Sequence, residues 1–456
     1  MVLKVIYTYL FLIGLFLIPF NNFSGYELLR EYKHEPAIYF WIIGIVIAVL
    51  DNILNVRKII FPKGSILIKL FLIFIGWVLL TYLLNFQSIQ GNFYKGKTGN
   101  ERFFSQFISL IIPSIFLVFY FWNVCRNWKY LEIFKLIRKI ILYSFLFVFC
   151  FSLLEYCVIH YDSTFCREVI YALNNLPFIN KEYFSERRLS SVSFETPALG
   201  NFLIFSAGWL FSYYLTTENK IIGSIPGFLI LVLVITSGAR AAFVIVLFQF
   251  LLFLIYVLFN SKYKLVYFKI WKYLVLVVLT FLICFSATII EKLQTFRYDS
   301  LVENNISNQT RFGMQYASLK VFMDYPMIGV GYGQNTFYKR FYYPDWAIKD
   351  NYEFTNWYLN ENIPSFPSDF NLYTRLLAEV GLIGFLILFL FLFTVLYYNI
   401  KSFSLLNNEN KFIGIVLFIG FIGLMINWLQ LDYFRQFGFW ILLILLIKVR
   451  KDYRIN

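Results

Sequence analysis

Long apolar runs separated by short polar segments make up most of this sequence of 456 residues. Twelve runs have the composition of membrane-spanning helices, and most approach the ~17–25 residues that cross a bilayer core. They lie near residues 5–20, 37–54, 66–84, 107–122, 139–160, 198–215, 221–236, 239–259, 271–290, 371–398, 411–428 and 434–449. Only the turn TSGAR separates the seventh run from the eighth, so these two could also form one span. The pattern predicts an all-α polytopic membrane protein with about 12 transmembrane helices.

Two polar segments interrupt the apolar pattern, Tyr161 to Pro197 and Glu291 to Phe370, and the second is the longest hydrophilic stretch of the chain. They divide the chain into three predicted parts. Residues 1–290 carry nine spans and the polar segment 161–197. Residues 291–370 form one large loop domain, and residues 371–456 carry the last three spans.

The composition agrees with a membrane protein. The chain is 60% hydrophobic and 14% charged, with a mean hydropathy of +0.67, whereas a soluble domain is about half apolar and about a quarter charged. No soluble domain of ordinary size is therefore left once the spans are removed. Lys4 precedes the first run and no small-residue cleavage site comes after it, which favours a retained anchor over a cleaved signal peptide.

Lysine and arginine gather in the short segments on one side of the predicted membrane, which assigns that side to the cytoplasm. Both termini are then cytoplasmic, and both long polar segments lie outside. Arginine departs from this trend, because 11 of the 16 arginines fall in outer segments. The planar guanidinium suits phosphate and carboxylate groups, so the excess predicts an outer anion site. The alternative is that long outer loops simply contain some arginine.

The long polar segment contains a predicted amphipathic helix, Arg311 to Met323, on the outer surface. Its apolar residues at helical spacing are Phe312, Tyr316, Leu319 and Met323. The stretch DYPMIGVGYG then ends the helix, because Pro326 and the spaced glycines require turns. These glycines come after a helix rather than a strand, so they do not form a nucleotide-binding loop.

Four stretches bring charged or polar side chains to the outer ends of the spans. The candidates are Arg187, Arg188 and Glu195 before the sixth span, Arg240 between the seventh and eighth, Arg311 in the long polar segment, and Asp369, Asn371, Arg375 and Glu379 at the start of the tenth. Charges in apolar surroundings are costly unless a partner or a ligand compensates them.

Each candidate also has a structural interpretation. Arg240 could extend to the membrane interface, and Glu195 could be an ordinary interfacial carboxylate. Arg375 and Glu379 could pair with each other, and Asp369 could cap a helix. The chain has only two histidines, far apart, and its five cysteines show no CxxC spacing, so no metal site and no cofactor are predicted.

Four motifs in order resemble the O-antigen ligase and polysaccharide polymerase superfamily of bacteria. They are RRLSSVSFETPALGNF, SGARAAF, RFGMQYASLKVFMDYPMIGVGYGQNTF and FNLYTRLLAEVGLIG, and together they extend from Arg187 to Gly384. The resemblance implies a GT-C-like glycosyltransferase architecture in the bacterial plasma (inner) membrane, with an active site that faces the periplasm or the outside.

The resemblance also implies a metal-independent reaction, in which a glycan on undecaprenyl pyrophosphate is transferred to a sugar hydroxyl. Arginines would hold the pyrophosphate and a carboxylate would accept the proton of the hydroxyl. The residues expected to bind pyrophosphate or glycan are Arg187, Arg188, Arg240, Arg311, Asn371 and Arg375. The expected catalytic carboxylates are Glu195 and Asp369. The expected partners are the lipid-linked oligosaccharide, membrane lipid and a chain-length regulator protein, and no nucleic acid.

One departure from the family pattern bears on the reaction. Ligases of this family carry a histidine immediately before the asparagine of the last motif, whereas Phe370 precedes Asn371 here. This favours the polymerase branch, which joins repeat units of O-antigen, capsule or exopolysaccharide. A ligase that transfers glycan to lipid A core or another acceptor is the first alternative. A polysaccharide transporter or flippase is the second, but its charges should lie at mid-membrane rather than at span ends.

Overall fold

The computed structural model describes residues 2–55, 61–126, 128–182, 184, 188–259, 306–364, 366–407 and 409–452, and these residues are predominantly helical. The helices are α1 (Val2–Phe16), α2 (Pro36–Leu54), α3 (Ile66–Leu84), α4 (Phe86–Gly91), α5 (Gly99–Ile111), α6 (Val118–Cys125), α7 (Tyr130–Tyr161), α8 (Thr164–Leu173), α9 (Thr196–Thr216), α10 (Lys220–Ser237), α11 (Arg240–Phe259), α12 (Ile306–Asp324), α13 (Asn335–Lys339), α14 (Asp345–Ile348), α15 (Leu372–Leu405), α16 (Lys411–Asn427) and α17 (Phe437–Asp452). Shorter elements are a 3₁₀ helix (Glu27–Tyr32), π helices (Ile112–Leu117 and Glu353–Tyr358) and an antiparallel pair of strands, β1 (Phe93–Tyr94) and β2 (Lys97–Thr98).

Eight helices within the described residues are long and apolar enough to cross a membrane. They are α2, α3, the continuous unit Gly99–Cys125, α7, α9, α10, α11 and α15. The shorter α1, α16 and α17 coincide with three further predicted spans. The prediction of an all-α polytopic membrane protein is therefore confirmed. The ninth predicted span, 271–290, lies outside the described residues, and TSGAR separates two distinct helices, α10 and α11.

Helix α9 is the best-buried of the candidate spans and packs against α7, α10, α11 and α16. A helix that is apolar on all sides favours such a central position. Small residues let its neighbours approach closely: a methyl group at Gly200 would lie 2.9 Å from Cβ of Ala242 in α11, and one at Gly208 would lie 3.2 Å from the Val416 carbonyl in α16. The close contact at Gly200 brings the first turns of α9 and α11 together.

The cap segment, residues 306–370, packs on one end of the helix bundle, where α12 lies against α15. The predicted helix is present within α12, but the apolar residues that indicated it do not face the protein interior. Its apolar residues Phe312, Tyr316, Leu319 and Met323 are exposed by 49%, 41%, 36% and 65%. The opposite face is buried because Gly313 admits Ala347 and Phe354 at close range, while Ser318 finds buried hydrogen-bond partners.

A break in α15 joins the cap segment to the bundle. Gly381 has φ 66° inside the helix and interrupts its hydrogen bonding. The glycine loop, residues 326–333, supplies substitute partners: the amides of Val330 and Gly331 donate to the carbonyls of Ala378 and Glu379 at 3.0 and 2.9 Å. In return, the Leu382 amide donates to the Pro326 carbonyl at 2.8 Å.

The predicted turns of the glycine loop are present, since Gly329, Gly331 and Gly333 have φ values of 74°, 98° and 79°. Two glycines in the apolar run, Gly381 and Gly384, predict that a neighbouring helix approaches closely. Gly384 does admit one, because it contacts Trp77 of α3. The prediction is wrong for Gly381, which lies against the backbone of Met327 and Ile328 in the glycine loop.

We expect Gly381→Ala to lower the free energy of unfolding by about 1–3 kcal/mol, because alanine is strained at this positive φ and its methyl group would collide with the Met327 carbonyl. Thermal unfolding of the detergent-solubilised protein measures this. The matched control is Gly76→Ala in α3, where no atom lies within 4 Å of the added methyl group. A melting temperature for Gly381→Ala equal to that of the control would show that the break does not hold the cap segment.

Candidate functional site

Two neighbouring cavities lie where the cap segment meets the bundle. The large cavity has a volume of about 610 Å³ and the arginine cavity one of about 250 Å³. Pro197, Arg311 and Gln430 line both cavities, so the two spaces adjoin along these residues. A ligand with a compact anionic group and a bulkier polar body could therefore occupy both.

Arg188, Arg240 and Arg311 line the arginine cavity. The amide of Leu189 donates to the carbonyl of Ser237 at 3.1 Å, which holds Arg188 beside the turn that carries Arg240. Gly238 makes that turn with φ 72°. Residues in the first turns of α9 and α11 complete the lining, so two helix N-termini add partial positive charge. The cap segment contributes Arg311 through α12.

No carboxylate of the described residues lies within 4.0 Å of these three guanidinium groups. Burial lowers the pKa of Arg311, and the positive charges of Arg240 and Arg188 lower it further, against the opposing effect of Glu195 and Glu353. Arg311 also lies 5.4 Å from the ring centroid of Phe370. Three arginines without carboxylate partners form a site that favours a multiply charged anion.

Glu195 lies immediately before α9 and lines the large cavity. Burial raises the pKa of this carboxyl, and the nearby Arg311 opposes the shift. Hydrogen-bonding side chains that suit sugar hydroxyls share the lining, namely Asn21, Asn22, Asn201, Gln430, Tyr433 and Gln436. The large cavity thus has a mainly apolar wall that carries several polar side chains, and it joins an anion site at one side.

A buried ion pair positions the segment that carries Arg188 and Glu195. Lys181 Nζ lies 2.6 Å from the Glu155 carboxylate of α7, and both side chains are almost fully buried. The same carboxylate accepts hydrogen bonds from the amides of Ser190 and Ser191 at 3.1 and 2.6 Å. The motif RRLSSVS is therefore anchored directly beyond its second arginine.

A second buried network fixes the start of α15. Asp369 accepts from Lys339 Nζ at 2.6 Å, from Asn335 at 2.7 Å and from Ser318 at 2.9 Å. Asp369 is 4% exposed and does not line either cavity. Its carboxylate therefore holds α12, α13 and α15 together in this structure.

Arg375 and Glu379 also belong to this network. Arg375 Nε lies 3.1 Å from Glu379 Oε1, and the guanidinium donates to the Asp432 carbonyl and to Gln106 Oε1 at 2.6 and 2.8 Å. The structure therefore shows Arg375 and Glu379 paired with each other, which was the structural alternative for these two residues. Neither side chain lines a cavity.

The structure brings together four of the candidate residues: Arg188, Arg240, Arg311 and Glu195. Arg187 lies outside the described residues. Asn371 caps α15 by accepting from the amides of Tyr373 and Thr374 at 2.9 and 3.3 Å, so this residue, rather than Asp369, caps the helix. The roles of all these candidate residues in ligand binding or catalysis stay predictions.

The sequence reasoning missed part of the large cavity. Its unanticipated lining residues come from the connections α1–α2 and α16–α17 and include Glu31, His34, Glu35, Asp432, Tyr433 and Arg435. Arg435 joins the two connections, because its Nη1 lies 3.4 Å from Glu35 Oε1 and its Nε 3.8 Å from Glu31 Oε2. A sequence signal for these residues was present, because both short connections between predicted spans carry several charged residues.

Within the described part of the chain, no group of three or more His, Cys, Asp and Glu side chains could hold a metal ion.

A family model described as O-antigen ligase matches residues 225–390, and no curated protein matches the chain. The matched region contains Arg240, Arg311 and the start of α15. The match supports a membrane glycosyltransferase of the ligase or polymerase type that acts on lipid-linked polysaccharide. Together with the apolar helices it indicates a multi-pass bacterial membrane protein.

We expect Lys339→Met to lower the free energy of unfolding by about 3–5 kcal/mol, because it removes the cation 2.6 Å from the buried Asp369 and leaves only Arg375, at 4.0 Å, beside that carboxylate. The double variant Lys339→Met/Asp369→Asn should recover part of this loss. Thermal unfolding and limited proteolysis of the cap segment measure both effects.

The control is Arg340→Met, whose guanidinium lies 4.0 Å from a mostly exposed Glu361 and should lose at most about 1 kcal/mol. Equal losses for Lys339→Met and Arg340→Met would contradict the structural role of the buried pair.

Proposed function

We propose that this chain belongs to the O-antigen ligase and polysaccharide polymerase superfamily, which the family match at residues 225–390 supports, and that it is a polymerase of undecaprenyl-pyrophosphate-linked oligosaccharide repeats. The glycosyl transfer takes place at the outer face of the bacterial plasma membrane, with both termini in the cytoplasm. Each cycle joins the glycan of one lipid-linked repeat to a hydroxyl of another.

The observation that carries this proposal is the convergence of Arg188, Arg240 and Arg311 on one cavity. Like charges held close together repel one another, and no carboxylate of the described residues lies near enough to offset that repulsion. A pyrophosphate relieves it, because a dianion can accept charge-assisted hydrogen bonds from several guanidiniums at once. Arg187 precedes Arg188 in the chain and is a proposed fourth contact.

The large cavity is suited to binding the glycan part of the substrate. Its volume of about 610 Å³ lies within the ~300–1,000 Å³ that is usual for ligand sites. It meets the arginine cavity at Arg311, where the first sugar would adjoin the pyrophosphate. The amide and hydroxyl side chains of its wall can exchange hydrogen bonds with sugar hydroxyls.

The arginines would act mainly on the departing group. As the bond between the anomeric carbon and the pyrophosphate oxygen breaks, negative charge grows on that oxygen. Guanidiniums already in position stabilise this charge without reorganising. Glu195, beside Arg311 on the large-cavity side, would stabilise the positive charge that the anomeric carbon gains.

The ligase alternative has one structural observation in its favour. Phe370 lines the large cavity where the ligase motif would place a histidine, but His34 lines the same cavity from another element. His34 Nδ1 lies 2.8 Å from the Phe23 carbonyl, which requires a proton on Nδ1 and leaves Nε2 of the neutral ring as an acceptor. An imidazole is therefore present even though the motif lacks one.

The test uses purified protein in detergent and lipid-linked oligosaccharides extracted from the source bacterium after deletion of the gene. The wild type should convert these repeats into a ladder of multiples. Arg240→Ala, Arg188→Ala and Arg311→Ala should each weaken binding of undecaprenyl pyrophosphate by about 10–100-fold, because each removes a charge-assisted hydrogen bond. The control is Arg167→Ala, a surface arginine on α8 paired with Asp162, which should bind and polymerise normally.

Two outcomes would count against the polymerase, and a third against its pyrophosphate site. Transfer only after a separate lipid A core or other acceptor is added indicates a ligase. No transfer, with transport of lipid-linked repeats across proteoliposomes, indicates a flippase. Normal ladders from all three arginine variants would contradict the pyrophosphate site.

A further inference from the structure

We infer that Glu35 is the catalytic base of the transfer and that it accepts the proton of the attacking sugar hydroxyl in the large cavity. This inference rests on the proposed glycosyl transfer. It assigns the part of the large cavity around Glu35 to the acceptor sugar.

The placement of Glu35 suits an acceptor. It directly precedes α2 and lines the large cavity together with Glu31, His34, Asn21 and Asn22, and none of these residues lines the arginine cavity. In a single displacement, the hydroxyl attacks the face of the anomeric carbon opposite the leaving group. A base therefore belongs away from Arg188, Arg240 and Arg311, which would hold the leaving group.

Glu35 has a free acceptor atom. Its Oε1 faces Arg435 Nη1 at 3.4 Å, whereas its Oε2 is buried and has no hydrogen-bond partner among the described residues. A buried polar atom without a partner is costly, so the structure holds Oε2 ready for a ligand group. Oε2 itself has almost no exposed surface, so a hydroxyl reaches it only when the side chain rotates, and 20% of that side chain is accessible.

Two other carboxylates of the large cavity have partners. Glu31 accepts from Gln106 and Ser109 at 2.5 and 3.0 Å. Asp432 Oδ2 accepts from the Ser368 hydroxyl and from the Asp369 amide at 2.9 and 2.7 Å. Both carboxylates are thus committed to holding the connections in place.

Glu195 suits the base role less well than Glu35. Burial raises the pKa of Glu195 as well, with Arg311 opposing the shift, so its position rather than its proton affinity separates it from Glu35. Glu195 lies next to the proposed leaving group. The phenol of Tyr433 is close enough to Glu35 and Glu195 to be affected by both charges. Burial raises the pKa of Tyr433, Arg435 opposes this shift, and the negative charges of Glu35 and Glu195 raise the pKa further.

The proton affinity of Glu35 matches the task. Burial raises its pKa to about 7, Arg435 opposes the shift, and the negative charge of Glu31 adds to it. The other titratable groups around it are Tyr32, His34, Asp432, Tyr433 and Glu195. A base with a pKa near the working pH is deprotonated in a useful fraction of molecules and still accepts a proton readily.

The step balances as a substitution at the anomeric carbon. A bond forms between the acceptor oxygen and the anomeric carbon, while the bond from that carbon to the pyrophosphate oxygen breaks. The electron pair of the broken bond leaves on undecaprenyl pyrophosphate. The hydroxyl proton moves to Glu35 Oε2, and the resulting carboxylic acid later returns it to water.

The experiment measures turnover from about pH 5.5 to 8.5 with saturating extracted lipid-linked repeats, and separately the binding of undecaprenyl pyrophosphate. The wild-type rate should rise with pH through about pH 7, because only the ionised carboxylate acts as a base. Glu35→Gln should lower turnover by about 10²–10⁴-fold, remove that rise and leave pyrophosphate binding unchanged. Glu35→Asp should keep the rise at a lower rate.

Two further variants control the result. Glu27→Gln removes an exposed carboxylate of the same connection that lies outside both cavities, and it should behave as the wild type. Glu195→Gln should lower turnover but keep the rise with pH. Melting temperatures within a few degrees of the wild type establish that each variant is folded.

The outcomes separate this inference from the proposed function. If the wild type forms product and Glu35→Gln keeps the wild-type rate and pH profile, the role of Glu35 is overturned and the proposed function stands. Loss of the rise with pH in Glu195→Gln, with the rise kept in Glu35→Gln, assigns the base to Glu195 instead. Absence of any glycosyl product from folded wild-type protein overturns the proposed function, and this inference with it.

Discussion

The architecture depends on an exchange of backbone hydrogen bonds at the break in α15. A long apolar helix normally satisfies its own amides and carbonyls, and an interruption near a membrane is costly unless other groups replace them. The glycine loop replaces them, and only residues tolerant of positive φ permit the two backbones to come so close. Because α12 leads directly into this loop, the exchange also fixes the position of Arg311 above the first turns of α9 and α11.

Charges at this end of the bundle fall into two groups with different consequences. Lys339, Asp369, Arg375 and Glu379 are buried, paired and committed to holding elements together. Arg188, Arg240 and Arg311 have no carboxylate partner within ion-pair distance among the described residues. Like charges that line one cavity without carboxylates repel one another, so an anion that binds between them relieves this repulsion. A hydroxyl that binds at the buried Oε2 of Glu35 would likewise supply the hydrogen-bond partner that this atom lacks.

The apolar runs were sufficient to predict the spanning helices, because a membrane span needs length and hydrophobicity more than any particular partner. The arginine cluster was also predictable, since arginine at the mouth of a span is unusual. The inward face of α12 was not, because Gly313 and Ser318 pack there through contacts with Ala347 and Asp369 that are distant in sequence. Asp369 was a candidate catalytic carboxylate and Arg375 a candidate ligand-binding group, because the sequence does not show Lys339 and Gln106 beside them. Glu35 gave no periodic signal, and only the folded connections reveal its surroundings.

The three arginines also affect the release of the spent lipid carrier. In the proposed transfer, the carrier is bound as a pyrophosphate diester and released as a monoester, which carries additional negative charge. The cavity that stabilises the departing charge therefore holds the spent carrier more tightly than the incoming one. As the spent carrier accumulates in the bilayer, it would compete with incoming lipid-linked repeats for this cavity. Undecaprenyl pyrophosphate would thus act as a product inhibitor, and its removal from the membrane would relieve that inhibition.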